Sequence, residues 1–143
     1  GARRNIEMTV ICANNGIYGM TGGQVTPTTP HGARTVTTPR GNPERSFDLC
    51  QLVLAAGASY VARYSVYHIR PLIRSLQAAL THPGFSFVAV LTSCPVQYGR
   101  RNDLTTPAAM LDDFRQRCVT ISAARTMTQE QLKDRTLIGE FIS

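Results

Sequence analysis

The chain has 143 residues, of which 43% are hydrophobic and 17% charged, a composition typical of one globular domain. It contains no run of eighteen apolar residues and no apolar secretory leader near its first residue, so we expect a single cytoplasmic domain over residues 1–143 that does not enter a membrane. Its formal net charge of +6 favours encounters with acidic partners, and nucleic acid and an acidic electron carrier both fit that description.

The predicted elements alternate between strands and helices along the chain. In chain order they are a strand over 6–13, an irregular loop from 19 to 43, a helix over 46–56, a strand over 59–64, a helix over 71–80, a strand over 85–91, a loop over 92–105, helices over 107–118 and 128–133, and a strand over 136–141. This order predicts an α/β fold, a Rossmann-like parallel sheet with helical crossovers. The first strand is apolar almost throughout, so we expect it to be buried on both faces.

Two polar segments follow predicted strands directly. Asn14–Gln24 leaves the first strand, and Ser93–Gly99 leaves the strand over 85–91. Ligands of open parallel sheets bind beyond the carboxyl ends of the strands, so the sequence predicts a site where these segments meet. The long loop between the first strand and the first helix exceeds the usual length of four to six residues, which is typical of a functional or disordered segment.

The segment after the first strand carries a specific resemblance. Residues 13–24 read Ala-Asn-Asn-Gly-Ile-Tyr-Gly-Met-Thr-Gly-Gly-Gln, and Thr-Thr-Pro follows at 28–30 and again at 37–39. This pattern resembles the β subunit of the 2-oxoacid:ferredoxin oxidoreductases, and the likeness extends from about Arg3 to Phe141. It implies that the chain is the C-terminal half of a thiamine-diphosphate-binding fold, with residues 19–45 as a long loop that contacts cofactor and substrate.

The resemblance implies a Mg²⁺ site that clamps the diphosphate of thiamine diphosphate. In this family an Asp from a Gly-Asp-Gly motif, an Asn side chain and a backbone carbonyl two residues later hold the ion. The matching ligands here are the side chain of Asn15 and the carbonyl of Ile17, and both are the hard oxygen donors that Mg²⁺ prefers. The cofactor-binding residues implied by the same motif also include Tyr18, Gly19, Met20 and Thr21. The chain has no Gly-Asp-Gly, so the carboxylate ligand is absent from it.

Four cysteines stand in the sequence, at positions 12, 50, 94 and 118, and none forms a Cys-x-x-Cys pair. In many relatives the equivalent of Cys94 is the fourth ligand of a [4Fe-4S] cluster, whose other three ligands belong to the N-terminal half of the β subunit. A buried unligated thiol is the alternative for Cys94. We expect the other three cysteines, one in a strand and two in helices, to be packing residues.

The substrate-binding residues are less specific. Several relatives have a Lys at the position of Gly22, and that Lys is associated with the carboxylate of the substrate. Its absence implies that His31 or Arg34, with Thr21 nearby, takes this role, although His31 also fits an exposed loop residue. The loop sequence favours 2-oxoglutarate or a broad range of 2-oxoacids over pyruvate.

The resemblance implies oxidative decarboxylation of a 2-oxoacid with coenzyme A (CoA), giving acyl-CoA, CO₂ and reduced ferredoxin. Its implied partners are an α subunit, which supplies the activating Glu, and ferredoxin. We expect no catalytic residue in this chain and no activity from the chain alone. Two alternatives remain open: another thiamine-diphosphate enzyme of the decarboxylase or acetolactate-synthase type, and a basic nucleic-acid-binding domain, which the lack of aromatics beside the Arg residues disfavours.

Overall fold

A computed structural model describes residues 1–142, which fold around one five-stranded sheet in the order β1-β3-β2-β5-β4. The strands are β1 Met8–Asn14, β2 Tyr60–Ser65, β3 Phe85–Leu91, β4 Cys118–Thr120 and β5 Thr136–Ile142. The α-helices are α1 Leu49–Ala55, α2 Ile69–Thr81, α3 Pro107–Arg117, α4 Ile121–Ala124 and α5 Gln129–Leu132, with short 3₁₀ turns at Ala2–Arg4 and Gly99–Arg101. The predicted α/β class is therefore confirmed. No helix of the described part is long and apolar enough to cross a bilayer.

Strands β1, β3 and β2 are parallel, whereas β5 runs antiparallel to β2, so the prediction of a wholly parallel sheet is wrong for the last strands. The reason lies in the path of the chain after β3. Helix α3 stays at the carboxyl edge, where Asp113 and Arg117 line the same cleft as Asn14. Strands β4 and β5 therefore enter the sheet from the carboxyl edge and run in the opposite direction.

The core lies on both faces of β3. Its residues Phe85 and Phe87 pack with α1 on one face, and Val88 and Val90 pack with α2 on the other. The predicted burial of the first strand is wrong, because β1 lies at the edge of the sheet and Ile11 keeps 53% of its surface exposed.

Several predicted helix boundaries move by one to three residues. Helix α1 begins at Leu49, because the Asp48 carboxylate caps it by accepting bonds from the N–H groups of Cys50 and Gln51. Helix α2 begins at Ile69, two residues before the predicted start. Helix α3 ends at Arg117, so Cys118 opens strand β4 and does not lie in a helix as predicted.

Candidate cofactor site at the carboxyl edge of the sheet

The turn after β1 is built by two asparagine side chains with different surroundings. The Asn14 side-chain oxygen accepts bonds from the Gly16 N–H at 3.0 Å and from the Thr28 hydroxyl at 2.8 Å, so it closes the turn and ties it to the long loop. The Asn15 side-chain oxygen accepts one bond, from the Ile17 N–H at 3.2 Å. A carboxamide oxygen has two lone pairs, so Asn15 keeps one acceptor position for another group.

The backbone carbonyls of this turn also differ from one another. The Gly16 carbonyl accepts from the Thr29 hydroxyl at 2.7 Å, and the Tyr18 carbonyl accepts from the Gly23 N–H at 2.8 Å. Among residues 1–142, no protein donor reaches the carbonyl of Ile17, which lies between them. Nearly all backbone carbonyls inside a protein are paired, so this one is a candidate ligand for an ion. Together with Asn15 it offers two neutral oxygens from one turn, which fits Mg²⁺.

The long loop over 19–45 is ordered by hydrogen bonds between its own polar residues. Thr29 is fully buried, and its carbonyl accepts from the side-chain amide of the buried Asn42 at 2.9 Å. The N–H of Gly32 donates to the carbonyl of Asn42, whose own N–H donates to the carbonyl of Ala33. The Thr35 and Thr38 hydroxyls lie 2.7 Å apart. The seven Thr residues of this loop and Asn42 thus supply hydrogen bonds in place of those of a helix or a sheet.

The remaining predicted cofactor residues form a small hairpin above the turn. Tyr18 pairs with Gln24, and the Thr21 hydroxyl donates to the side-chain oxygen of Gln24 at 2.6 Å. Tyr18 and Met20 are both exposed large residues, and Met20 contacts almost nothing in this chain. The structure therefore presents these side chains at the same edge as Asn15, open to another molecule.

Cys94 lies against this hairpin. A β-carbon built on Gly19 would lie 3.1 Å from the Cys94 sulfur and 3.9 Å from the side-chain nitrogen of Asn15. The Cys94 carbonyl accepts from the N–H groups of Tyr98 and Gly99, both at 3.0 Å, which fixes the start of the loop after β3. The two predicted segments therefore meet at the carboxyl edge, as the topology of a parallel sheet requires.

The other cysteines lie in different environments. Burial raises the pKa of the thiols of Cys12, Cys50 and Cys118, that of Cys50 to about 12. A raised pKa disfavours the thiolate that binds metals, so these residues are better suited to packing. Within residues 1–142, no three His, Cys, Asp or Glu side chains gather as a metal-binding group. Cys94 could therefore ligate a cluster only together with thiolates from outside residues 1–142.

The two predicted substrate residues are not equivalent. The Arg34 guanidinium forms an ion pair with Asp103 at 2.7 Å, and the Arg34 N–H and carbonyl both bond to the Asn102 side chain. His31 is exposed and lines a cleft of about 710 Å³ that also borders Asn14. The Arg34 side chain is thus held in an exposed ion pair, and His31 faces open space.

Most of this cleft was not predicted from the sequence. Four arginines from distant parts of the chain line it, namely Arg45, Arg63, Arg117 and Arg135. Arg63 pairs with Asp48 at 3.0 Å and Arg117 pairs with Asp113. The high Arg content was the only signal in the sequence, and nothing in it indicated which arginines the fold brings together.

Curated relatives resemble the chain over its whole length or most of it. The chain is 45% identical over 142 residues to a 2-oxoglutarate synthase subunit KorB of Methanocaldococcus jannaschii, covering 99% of this chain and 53% of that subunit. It is 55% identical over 93 residues to the corresponding subunit of Archaeoglobus fulgidus, covering 65% of this chain and 35% of that subunit. The chain spans about half the length of the curated relatives that it matches over its whole length.

A solved structure shares the fold. It is a 2-oxoglutarate:ferredoxin oxidoreductase from Magnetococcus marinus with 2-oxoglutarate, coenzyme A and succinyl-CoA bound, and it superposes with a TM-score of 0.78 at 26% identity. The match covers 99% of this chain and 49% of that one. Residues 1–90, which hold β1, the turn and the long loop, match the family described as thiamine pyrophosphate enzyme, C-terminal TPP binding domain. The chain therefore belongs to the thiamine pyrophosphate enzymes and carries their C-terminal cofactor-binding domain.

Proposed function

We propose that the chain is the C-terminal half of the β subunit of a cytoplasmic 2-oxoacid:ferredoxin oxidoreductase. The proposed reaction converts a 2-oxoacid and CoA into acyl-CoA and CO₂ and passes the two electrons to ferredoxin. Sequence identity of 45% across nearly the whole chain to 2-oxoglutarate synthase subunits supports 2-oxoglutarate as the substrate. An α subunit and ferredoxin are the proposed partners, because the related proteins are named as subunits and as ferredoxin oxidoreductases.

The observation that carries this proposal is the pair of open oxygens on the turn after β1. The Asn15 carboxamide oxygen and the Ile17 carbonyl would hold Mg²⁺, with a carboxylate and phosphate oxygens completing the shell from outside this chain. When bound, thiamine diphosphate supplies the nucleophilic carbon and the electron sink needed to cleave the bond beside a ketone. Tyr18, Gly19, Met20 and Thr21 would line its binding site, since they extend the same turn.

Cys94 is the proposed fourth ligand of a [4Fe-4S] cluster. Its sulfur lies next to Gly19, so a cluster there would be close to the cofactor, and a short distance favours electron transfer between the two. A Cys followed by Pro is a familiar context for cluster ligands. The other three thiolates would come from the part of the protein that precedes this chain.

For the substrate carboxylate we favour His31 over Arg34. The His31 ring lies at an open cleft beside Asn14, whereas the Arg34 guanidinium would first have to leave Asp103. Arg45 and Arg135 line the same cleft, and their charge would favour an acid with two carboxylates, such as 2-oxoglutarate.

The proposal can be tested on the full-length β subunit assembled with its α subunit. We expect reduction of ferredoxin or of a viologen dye that requires both CoA and a 2-oxoacid, with 2-oxoglutarate preferred over pyruvate. A protein that decarboxylates 2-oxoacids to free aldehydes without CoA or an electron acceptor would instead be a thiamine-diphosphate decarboxylase. Iron analysis of the same sample separates the two classes independently of activity.

A further inference from the structure

Asn15 and Gly16 form the one Asn-Gly pair of the sequence, and such a pair is chemically labile. The backbone nitrogen of the residue after an Asn can attack the side-chain carbon of that Asn. Gly permits this attack most readily, because it has no side chain to hinder it. Asn is accordingly among the thermolabile residues of proteins. The turn after β1 therefore combines a proposed metal ligand with a bond arrangement that is prone to react.

The reaction is deamidation, and it needs no reactant other than water. The Gly16 nitrogen bonds to the side-chain carbon of Asn15, and the bond from that carbon to the side-chain nitrogen breaks. The side-chain nitrogen leaves as ammonia, together with the proton that the Gly16 nitrogen gives up. Water then opens the five-membered succinimide ring at one of its two carbonyls. One product has an aspartate at position 15, and the other has an isoaspartate, whose main chain is longer by a carbon atom.

In the folded chain, Gly16 is held through both of its backbone groups. Its N–H donates to the Asn14 side-chain oxygen at 3.0 Å, and its carbonyl accepts from the Thr29 hydroxyl at 2.7 Å. The Asn14 oxygen is itself fixed, because it also accepts from the Thr28 hydroxyl at 2.8 Å. The Gly16 nitrogen can attack only after its N–H leaves Asn14 and the peptide plane turns. Local opening of this hydrogen bond must therefore precede the reaction.

The Asn15 side chain is already held close to the nitrogen that would attack it. Its oxygen accepts from the Ile17 N–H at 3.2 Å, which closes an Asx turn. The ring closed by this hydrogen bond contains the Gly16 nitrogen, so the side-chain carbon of Asn15 stays beside that nitrogen. Ile17 is buried and anchors the far side of the ring. The position of the Asn15 side chain thus gives little protection, and the hydrogen bond from Gly16 to Asn14 is the restraint that remains.

We propose that Asn15 is a site of spontaneous deamidation in this protein and that the Asn14 side chain slows the reaction by holding the Gly16 N–H. Asn14 thereby preserves the oxygen of Asn15, which an isoaspartate would displace, because the longer main chain changes the spacing between positions 15 and 17. This inference concerns covalent chemistry within the turn and does not depend on the proposed reaction or on the identity of the metal.

The test is peptide mapping by mass spectrometry of the full-length β subunit, assembled with its α subunit and incubated at mildly alkaline pH. Asn14→Ala should deamidate at Asn15 at least about fivefold faster than the unmodified protein, because a hydrogen bond of ordinary strength no longer has to open. Asn14→Asp keeps an oxygen acceptor and should restore the slow rate. Thr28→Val is the matched control, since it removes the other bond to the Asn14 oxygen, and its rate should rise less than about twofold.

Three results would overturn the proposal. Equal rates in Asn14→Ala and the unmodified protein would show that the bond to Asn14 does not limit the reaction. Equal acceleration by Thr28→Val would assign the effect to general loosening of the turn. A difference that disappears after removal of thiamine diphosphate and Mg²⁺ would mean that bound cofactor protects Asn15. If Asn14→Ala does not fold, hydrogen exchange at the Gly16 amide of the unmodified protein decides: slow exchange supports the proposal, and exchange as fast as in an unstructured peptide contradicts it.

Discussion

Two turns meet at the carboxyl edge of the sheet, and they are built differently. The turn after β1 uses the Asn14 side chain to hold itself together and leaves oxygens of Asn15 and Ile17 for another group. The turn after β3 is held by the Cys94 carbonyl, which accepts two backbone hydrogen bonds. The Cys94 thiol is therefore not needed to close this turn. The first turn therefore presents hard oxygen atoms and the second a soft sulfur, and the proposed Mg²⁺ and cluster sites rest on this difference.

The largest effect is expected for Cys94→Ala in the full-length β subunit. Loss of one of four thiolates should leave a labile or three-iron cluster, while thiamine diphosphate still binds, because Asn15 and Ile17 remain. Iron analysis and EPR of the purified variant measure the first effect, and calorimetry with cofactor and Mg²⁺ measures the second. Cys118→Ala is the matched control and should keep the cluster signal. A complete [4Fe-4S] signal in the Cys94 variant would make Cys94 a packing residue.

The Gly99→Ala substitution should disrupt the turn after β3, because the added methyl group would collide with neighbouring atoms. A β-carbon at this position would collide with the Leu104 carbonyl oxygen and would lie 3.1 Å from the Met110 sulfur, so the backbone of the loop must move. Overpacking of this kind costs about 1–3 kcal/mol of the free energy of unfolding. Urea denaturation of the full-length protein measures the cost. An unchanged midpoint would show that the loop after β3 is more adaptable than its contacts indicate.

Substitutions of the two asparagines in the turn after β1 should have different effects, one on cofactor binding and the other on the stability of the protein. Asn15→Ala should weaken thiamine diphosphate binding in Mg²⁺ by at least about tenfold, or ~1.4 kcal/mol, with little change in melting temperature. Asn14→Ala removes two internal hydrogen bonds and should cost about 1–2 kcal/mol of stability. Calorimetry and thermal melting of both variants give the comparison. Normal cofactor binding by the Asn15 variant and lost binding by the Asn14 variant would shift the ligand assignment by one residue.

The smallest effect concerns a third turn at the same edge, after β2. Burial lowers the pKa of His68, whose Nδ1 lies 2.8 Å from the Ser65 hydroxyl. The folded state therefore prefers the neutral ring, and its contribution to stability is lost as the pH falls below the unfolded pKa of about 6.5. His68→Gln should flatten the decline in stability between about pH 7 and 5. Equal declines in both proteins would show that His68 does not contribute.

Local sequence rules predicted most of the elements. Asn14-Asn15-Gly16 marks the end of β1, and Phe85–Leu91 has the same bounds in prediction and structure. The turn that carries the candidate ligands was found from its sequence pattern, because Asn and Gly at these positions have a direct backbone role. Asp48 and Thr128 cap helices, as short polar residues at the start of a helix commonly do.

The sequence could not predict contacts that depend on the path of the whole chain. Asp103 neutralises Arg34 from 69 residues away, and Asn102 bonds to the Arg34 backbone, so a plausible substrate residue is occupied. The four arginines of the cleft likewise come from four separate segments. Nothing in local composition indicates which of fifteen basic residues share a surface.

The sequence by itself determined the α/β class and the turn after β1, because strand propensity and turn chemistry are local properties. The ligands proposed at that turn follow from the family resemblance. Only the tertiary structure decided that β5 runs antiparallel to β2, that Cys118 begins a strand and that β1 is left exposed at the edge. These outcomes depend on which segments pack side by side. Packing is settled by the burial of apolar surface over the whole chain, which no short stretch of residues encodes alone.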